Sequence, residues 1–514
     1  IERVDMSDPE SLWELYPKDV RVQDKKILDP FMGGGTSLSE ASRLGAEVAG
    51  NDLNPVAWFV TKKELEAGQT DVEELRAAFK EVEQDVADEI TQYYKTPCPN
   101  GDHESDVMYN FWVRELDCVS CGHTVPLFKD YRVGKGRYGE NKGTYSVFCP
   151  SCESVVNVGD WQSESACNKC GNSFDPSDGN VGRGKYNCND CGQKYSVIDA
   201  VAEQDGYSLS LYALEYYCGI CSEQGKGRAK VKGYKKAERV DRELARKARK
   251  EWEQADELKQ FVPQSEIARG AITESSSVNG NDLFQHGLED WTDAYSPRQL
   301  LCLSTLLRSI SKVEDKNTRE YLLLAFSDML RTNNLLIGYQ HSKNHINDVF
   351  QTNSFDVPQE AAEANVWGTE YGRGTFSGEF DKMRAGKEFC LNPYEKYVED
   401  GETKQRDGVG KVEGFVTDDP DRIGDPVEGQ EDATYNVHLR CGTSEYLPVE
   451  DESVDAVVTD PPYFDNVMYA EVADFYYVWL KQVLEDEYDH FTAELTPKAS
   501  EAVGDRKGED NVEK

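Results

Sequence analysis

The chain has 514 residues, with 96 Asp or Glu against 57 Lys or Arg and a formal net charge of -39, a length that implies roughly two to four domains or one domain with a large insertion. No stretch reaches the roughly 18 to 20 apolar residues of a membrane helix, and IERVDMSDPE lacks the basic flank and apolar core of a signal peptide, so the sequence reads as a soluble, cytoplasmic protein with no membrane partner. Acidity would ordinarily exclude nucleic acid, but these acids are spread along the chain as in a halophilic protein working at very high salt, which leaves local charge to decide.

KKILDP, residues 25–30, is a short apolar run that predicts a strand ending at a Gly-rich turn, and SLSEASRLG after it has helical spacing closed by Gly45. EVAGND, 47–52, predicts the next strand, followed by a helix through NPVAWFVTKKELE. Such a βαβα opening belongs to an α/β sheet whose ligands bind at the strand ends. From about Cys98 to Cys221 the pattern changes to short strand-like pieces, paired cysteines and Gly-rich turns, which predicts a separate small module without a long helix. Residues 226–250 hold about a dozen Lys and Arg against few acids, a density that fits either a phosphate-facing patch or a solvated helix, and 236–262 predict a charged helix. Ser296 as N-cap and Pro297 at the first helical position open a helical region, RQLLCLSTLLRSI and then REYLLLAFSDMLR. Residues 400–435, rich in Asp, Glu and Gly, predict a loop or linker. YNVHLRCG then predicts a strand, VDAVVTD (454–460) a buried strand ending in PPY, and AEVADFYYVWLKQVL an amphipathic helix.

Asp29-Pro30-Phe31-Met32-Gly33-Gly34-Gly35-Thr36 lies between a strand and a helix, where glycines admit a ligand close to the backbone and the helix N-terminus favours an anionic group. By itself this turn would serve a nicotinamide or flavin nucleotide equally well. Asp52, at the end of the following strand, can accept hydrogen bonds from ribose hydroxyls, a feature shared by dinucleotide and S-adenosylmethionine sites. Asp460-Pro461-Pro462-Tyr463 discriminates between them. An exocyclic base amine is a poor nucleophile because its lone pair is delocalised into the ring. Asp460 and the Pro461 carbonyl supply acceptors that favour a tetrahedral nitrogen, the prolines stiffen the loop, and Tyr463 offers a ring face to a base taken out of the duplex. An Asp-Pro-Pro turn with no role in chemistry is the competing reading.

Most of the fourteen cysteines come as CxxC pairs, which points to metal rather than disulfides. Cys167-x2-Cys170 with Cys188-x2-Cys191 has the spacing of a zinc ribbon. Cys149-x2-Cys152 and Cys218-x2-Cys221 flank that unit, so the simplest pairing nests the inner ribbon in an outer one. Cys118 and Cys121 then take Cys98 and His103 as partners in a mixed site, giving two or three structural zinc ions. The ribbon is expected to contact DNA together with the basic segments 226–250 and 129–142, with protein docking as the alternative. His341 and His345 are spaced for one helix face but lack a third ligand, and Cys302, Cys390 and Cys441 read as packed residues.

DPFMGGGT, GNDLNPVAWFV and TDPPYFDNVMYAEVADFYYVWLK together resemble the zinc-ribbon-containing adenine-specific DNA methylases, and CPNGDHESDVMYNFWVRELDCVSCGHTVPLF, WTDAYSPRQL and EANVWG extend the resemblance to nearly the whole chain. It implies an α/β fold, a Rossmann-like methyltransferase sheet binding S-adenosylmethionine through Asp29, Phe31, Gly33, Gly35, Thr36 and Asp52, with Ser444 where the cofactor's adenine is held. Asp460, Pro461, Pro462 and Tyr463 become the catalytic loop, acting on adenine N6 of double-stranded DNA. The organisation it implies is a first methyltransferase part over 1–95, a zinc-ribbon insert over 96–235, a helical DNA-recognition region over 236–400, an acidic linker over 401–435 and a second methyltransferase part over 436–514. The chain stops at GEDNVEK without the later strands of such a sheet, so a second polypeptide or a missing segment is expected to complete it. Cytosine N4, an RNA substrate and an inactive zinc-dependent nucleic-acid-binding fragment stand as alternatives, with restriction-modification as the setting the resemblance suggests.

Overall fold

The computed structural model describes residues 22–502 except 205, 275–281, 352, 400, 429, 448 and 464–466, so the readings of the first ten residues and of GEDNVEK lie outside it. Strand β1 (Lys26–Asp29) leads through helix α1 (Thr36–Arg43) to strand β2 (Glu47–Asp52), and helix α2 (Pro55–Leu65) follows. The start of α2 is set locally: the Asn54 side chain accepts from the Val56 N–H, and Pro55 occupies the first turn, where its missing N–H costs nothing. Helix α3 (Val72–Thr91) buries Leu75, Ala78, Val82, Val86 and Ile90, one stripe at helical spacing.

The cysteine-rich region is built on strands β3 (Lys95–Pro97), β4 (Glu104–Asp117), β5 (Thr124–Pro126), β6 (Arg132–Lys135), β7 (Tyr145–Phe148), β8 (Val155–Val158), β9 (Ser208–Tyr217) and β10 (Lys232–Lys236). After it come helices α4 (Arg239–Gln254), α5 (Pro297–Ser311) and α6 (Lys316–Leu330), strand β11 (Glu360–Ala364) and helix α7 (Phe376–Leu391). The chain ends through strands β12 (Val416–Thr417), β13 (Val437–Cys441) and β14 (Ala456–Val457) and helix α8 (Tyr469–Leu484). No helix among the described residues is long and apolar enough to cross a membrane.

Two main sheets share one mixed α/β body. The first is all parallel, in the order β12-β13-β2-β1-β14, and joins strands some 400 residues apart. The second is antiparallel, in the order β10-β9-β4-β11, with β3 and β5 on the two ends of β4. The middle of β4 is buried on both faces, and its two edges are taken by β9 and β11. The cysteine-rich region and the helices after it therefore share a sheet that crosses residue 235, rather than standing as a separate small module.

Three other expectations change. Residues 454–460 form a two-residue strand with Val457 55% and Val458 48% exposed, not a buried strand, because β14 is the edge of the parallel sheet and no described residue covers its outer side. The acidic stretch near 400 is not all loop: Tyr394–Glu399 and Glu402–Asp407 pair as a hairpin. The charged helix ends at Gln254 and gives way to a short tight turn of helix at Asp256–Phe261.

Ser296 caps α5 as expected, its hydroxyl accepting from the Gln299 N–H, and the same region holds a buried ion pair. The Arg298 Nε donates to Glu363 at 2.6 Å, and Trp112 Nε1 donates to the other carboxylate oxygen at 2.7 Å, with Arg298 3% and Glu363 0% exposed. Glu363→Ala leaves the guanidinium charge unpaired in the core and is expected to cost about 3–5 kcal/mol, read as a lowered urea midpoint. An unchanged midpoint would mean that the pair carries no stability.

A second network ties α2 to α6. Glu320, 1% exposed, accepts from Lys62 at 2.8 Å and Lys63 at 2.9 Å. Burial alone would raise its carboxyl, but the two ammonium groups hold it down at about 2. A depressed carboxyl stabilises the fold fully above the unfolded value near 4.5 and loses that contribution as pH falls through about 2. Acid titration of stability is expected to show this limb, on the order of 3 kcal/mol, and Glu320→Gln to remove it.

Candidate active site and metal-binding clusters

The carboxyl ends of β1, β2, β13 and β14 open on one cavity of about 930 Å³, large enough for a nucleoside-sized ligand. Its wall includes Asp29, Phe31, Gly33, Thr36, Asp52, Ser444, Asp460 and Pro462. The turn after β1 is held from three sides. Asp29 accepts from the Phe31 N–H at 3.1 Å, Met32 donates its N–H to the Asn51 carbonyl at 3.1 Å, and Asp52 Oδ2 accepts from the Gly33 N–H at 2.9 Å. Asp52 Oδ1 accepts from the Asn54 N–H at 2.9 Å. Burial raises the Asp52 carboxyl, and these two N–H donors partly offset that rise. A Cβ added at Gly33 or Gly34 would meet no atom within 4 Å, so both glycines leave open space on the cavity side.

Not every expected residue reaches the cavity. Gly35 sits at φ +80° as the N-cap of α1, and a Cβ there would stand 2.8 Å from Thr61, so its glycine serves the turn and the packing of α2 rather than the wall. Ser444 lines the cavity with its hydroxyl engaged, donating to the Pro30 carbonyl at 2.6 Å and accepting from Asn51 Nδ2 at 3.0 Å. Pro461 and Tyr463 lie outside the lining. Tyr463 is 58% exposed, and its hydroxyl donates to Asp460 Oδ1 at 2.9 Å.

The remaining wall comes from residues not among those expected at the site. Asn54, Glu445 and Tyr469 contribute, and so does the segment from Thr496 to Ala502. Thr496 is anchored by N–H and hydroxyl donation to Asp474 of α8, and Lys498 pairs with the same carboxylate. Glu501 accepts from the Ala470 N–H at 2.9 Å, and burial pushes its carboxyl up to about 7. The Asn54-Pro55 helix start was a legible signal; nothing in TPKASEA was.

The twelve expected metal ligands gather into three groups of four, each with its ligand atoms within 4.8 Å of one another. The grouping differs from the expected one. Cys98 and His103 join Cys218 and Cys221; Cys118 and Cys121 join Cys188 and Cys191; Cys149 and Cys152 join Cys167 and Cys170. The antiparallel sheet decides this. β3, β4 and β9 bring Cys98, His103 and Cys218 to one end of β4, while Cys118 follows its other end. The three groups are concentric in sequence, spanning separations of 123, 73 and 21 residues.

Sulfur–sulfur distances of 3.6 to 3.9 Å are far beyond a disulfide. They match the edge of a tetrahedron of thiolates about 2.3 Å from a zinc ion. The backbone supports the same geometry: Gly122, Gly171 and Gly192 follow their CxxC pairs at positive φ and donate N–H to the first cysteine's carbonyl. The donor sets fit structural zinc with no open coordination position.

His341 and His345 lie around a tight hairpin, not on a helix, and belong to no metal-ligand group among the described residues. Burial pushes the thiols of Cys390 and Cys441 up to about 11 and about 12 and raises that of Cys302, as for inert packed cysteines.

Among characterised proteins, the Type II methyltransferase M.MvaI of Kocuria varians is 31% identical to this chain over 105 residues, 20% of this chain and 22% of that protein. The match thus spans about a fifth of the length of the curated relative. No family profile and no solved structure matches the chain. The chain is similar to a methyltransferase over that stretch, and its cysteine groups can hold metal ions.

Proposed function

We propose that this protein is an S-adenosylmethionine-dependent methyltransferase that modifies the exocyclic amino group of a base in double-stranded DNA, namely adenine N6, on a Rossmann-like sheet. The observation that carries the reading is the convergence of the Asp29–Gly34 turn, Asp52 and Asp460 on one cavity at the carboxyl ends of parallel strands, although turn and Asp460 lie more than 400 residues apart in the chain. The likeness to a Type II methyltransferase supports the same class.

The residues fit that cofactor. Gly33 and Gly34 allow close backbone approach, and Asp52 keeps lone pairs for ribose hydroxyls beyond the two it gives to Gly33 and Asn54. When bound, S-adenosylmethionine supplies an electrophilic methyl group. Asp460 and the Pro461 carbonyl accept N–H bonds from the target amine and hold its lone pair toward that methyl, and Tyr463 presents a ring face to the base. The nitrogen would gain the methyl as the donor's carbon–sulfur bond breaks to leave a neutral thioether, and would release one proton to solvent. The three cysteine groups bind zinc as structural sites, with ligands Cys98, His103, Cys118, Cys121, Cys149, Cys152, Cys167, Cys170, Cys188, Cys191, Cys218 and Cys221.

Transfer of labelled methyl from S-adenosylmethionine to duplex DNA at high salt tests the reading, with the modified nucleoside identified by mass. N6-methyladenine is expected. N4-methylcytosine would move the specificity, and label entering only RNA would move the substrate. Cofactor binding without transfer to any nucleic acid, from this chain and from one extended by its flanking coding sequence, would overturn the function.

A further inference from the structure

In a chain with 96 acids against 57 basic residues, a cleft where cations prevail is a local inversion of charge. One forms where the β6–β7 hairpin meets the segment leading into β10, a small cleft lined among others by Lys135, Arg137, Tyr138, Lys232, Tyr234 and Asn344. The two basic segments, some ninety residues apart, thus meet in space. Asn344 fixes the hairpin by exchanging hydrogen bonds with the Lys135 backbone at 2.6 and 2.9 Å.

The acid on the floor is already satisfied from within. Glu215, 1% exposed, pairs with Lys232 at 3.1 Å and accepts from the Tyr339 hydroxyl at 2.7 Å. Lys135, Arg137, Arg228 and Lys230 have no ion pair among the described residues, and the last three are exposed. Beside them stand two exposed rings. The Arg228 guanidinium lies 5.5 Å from the Tyr138 ring, and Lys232 Nζ lies 5.9 Å from the Tyr371 ring. Tyr138 is 36% and Tyr371 43% exposed. A solvated helix face needs neither the rings nor the hairpin. Cations beside exposed tyrosine rings match a duplex backbone, the cations meeting phosphates and the rings packing on sugars.

The Cys98–Cys221 group anchors this surface. Lys226 donates to the Asn100 carbonyl at 2.9 Å and to Cys221 Sγ at 3.4 Å, so the turn that carries Arg228 and Lys230 starts from a ligand of that group.

We infer that this cleft and the surface beside it grip the backbone of double-stranded DNA outside the methyl-transfer cavity, with phosphates on Arg137 in the cleft and on Arg228 and Lys230 next to it, and sugars against Tyr138 in the cleft and Tyr371 beside Lys232. The choice of DNA among polyanions rests on the methyltransferase reading; the grip itself does not.

The test uses the full metal-loaded chain and a labelled 30-base-pair duplex, titrated by anisotropy over a series of salt concentrations. The double variant Arg228→Ala, Lys230→Ala is expected to bind at least about 10-fold more weakly at fixed salt, with the slope of log affinity against log salt smaller by about 1 to 2, since each phosphate contact contributes about 0.9. Tyr138→Ala, which removes a sugar contact and no charge, is expected to weaken binding about fivefold with the slope unchanged. Metal content and S-adenosylmethionine affinity, measured by calorimetry, should equal those of the parent in each variant. Parental duplex affinity and slope in the double variant would overturn the inference, and patch-dependent binding of RNA in preference to the duplex would overturn its assignment to DNA. Loss of duplex binding in the variant from a chain that transfers no methyl group would sink the methyltransferase reading and leave the grip standing.

Discussion

Asp460→Ala is expected to lower methyl transfer about 10³-fold while S-adenosylmethionine affinity stays within about threefold of the parent. Asp460 stands on the cavity wall after the exposed edge strand β14, and its side chain accepts a hydrogen bond from the Tyr463 hydroxyl, an exposed partner. Its removal should therefore leave the fold intact, unlike removal of the buried Glu363. On the proposed reading, what it takes away is a charged acceptor for the target amine, whose nitrogen gains positive charge as the new bond forms. Loss of one such preorganised group costs about 10² to 10³ in rate, and losing the grip on the amine's orientation adds to that. Single-turnover transfer with saturating cofactor and duplex reads the chemical step directly. Tyr463→Phe keeps the ring and loses only the hydrogen bond to Asp460, so it should fall much less. A rate within tenfold of the parent for Asp460→Ala would remove that carboxylate from the chemistry.

Stripping the metal is expected to unfold the cysteine-rich strands and to abolish a single cooperative transition. Each fully loaded chain should carry three zinc ions, and Cys118→Ser should lose one. Structural zinc sites of this kind contribute about 10–16 kcal/mol apparent binding free energy in isolated peptides. A folded domain has only about 5–15 kcal/mol in total, so even a fraction of one site decides whether β4 keeps both of its ends. Those ends are where two of the clusters sit. Metal analysis with thiol titration gives the count, and near-ultraviolet circular dichroism gives the packing around the buried Tyr216 and Tyr217 beside Cys218. Retention of that signal after chelation would show the clusters to be dispensable.

The sequence was most legible where the physics is local. The strand–turn–helix around Asp29, the Asn54-Pro55 and Ser296-Pro297 helix starts, and the residues of the three cysteine groups all follow from patterns spanning a few residues. It was least legible where distant strands decide. Five CxxC pairs are chemically equivalent, and that Cys218 and Cys221 join Cys98 and His103 follows from β3, β4 and β9 lying side by side, which no spacing encodes. Cys149-x2-Cys152 closes with its nearer neighbour, while Cys118-x2-Cys121 reaches past it to Cys188 and Cys191. The apolar run at 454–460 carries the composition of a covered strand, yet its burial depends on a neighbour beyond β14. Gly35 belonged to the expected cofactor turn, but its positive φ and the nearness of Thr61 give it a backbone task.

The concentric arrangement of the clusters also biases the order in which they close. Chain entropy makes the shortest loop the easiest to close, here the 21-residue separation within Cys149–Cys170. Once closed, it shortens the free chain that Cys118 and Cys191 must bridge, and their closure does the same for Cys98 and Cys221. Loop entropy therefore favours closure from the inside outward, like a purse drawn shut by successive strings, and the outermost string is the one tied to Lys226 and the basic turn behind it.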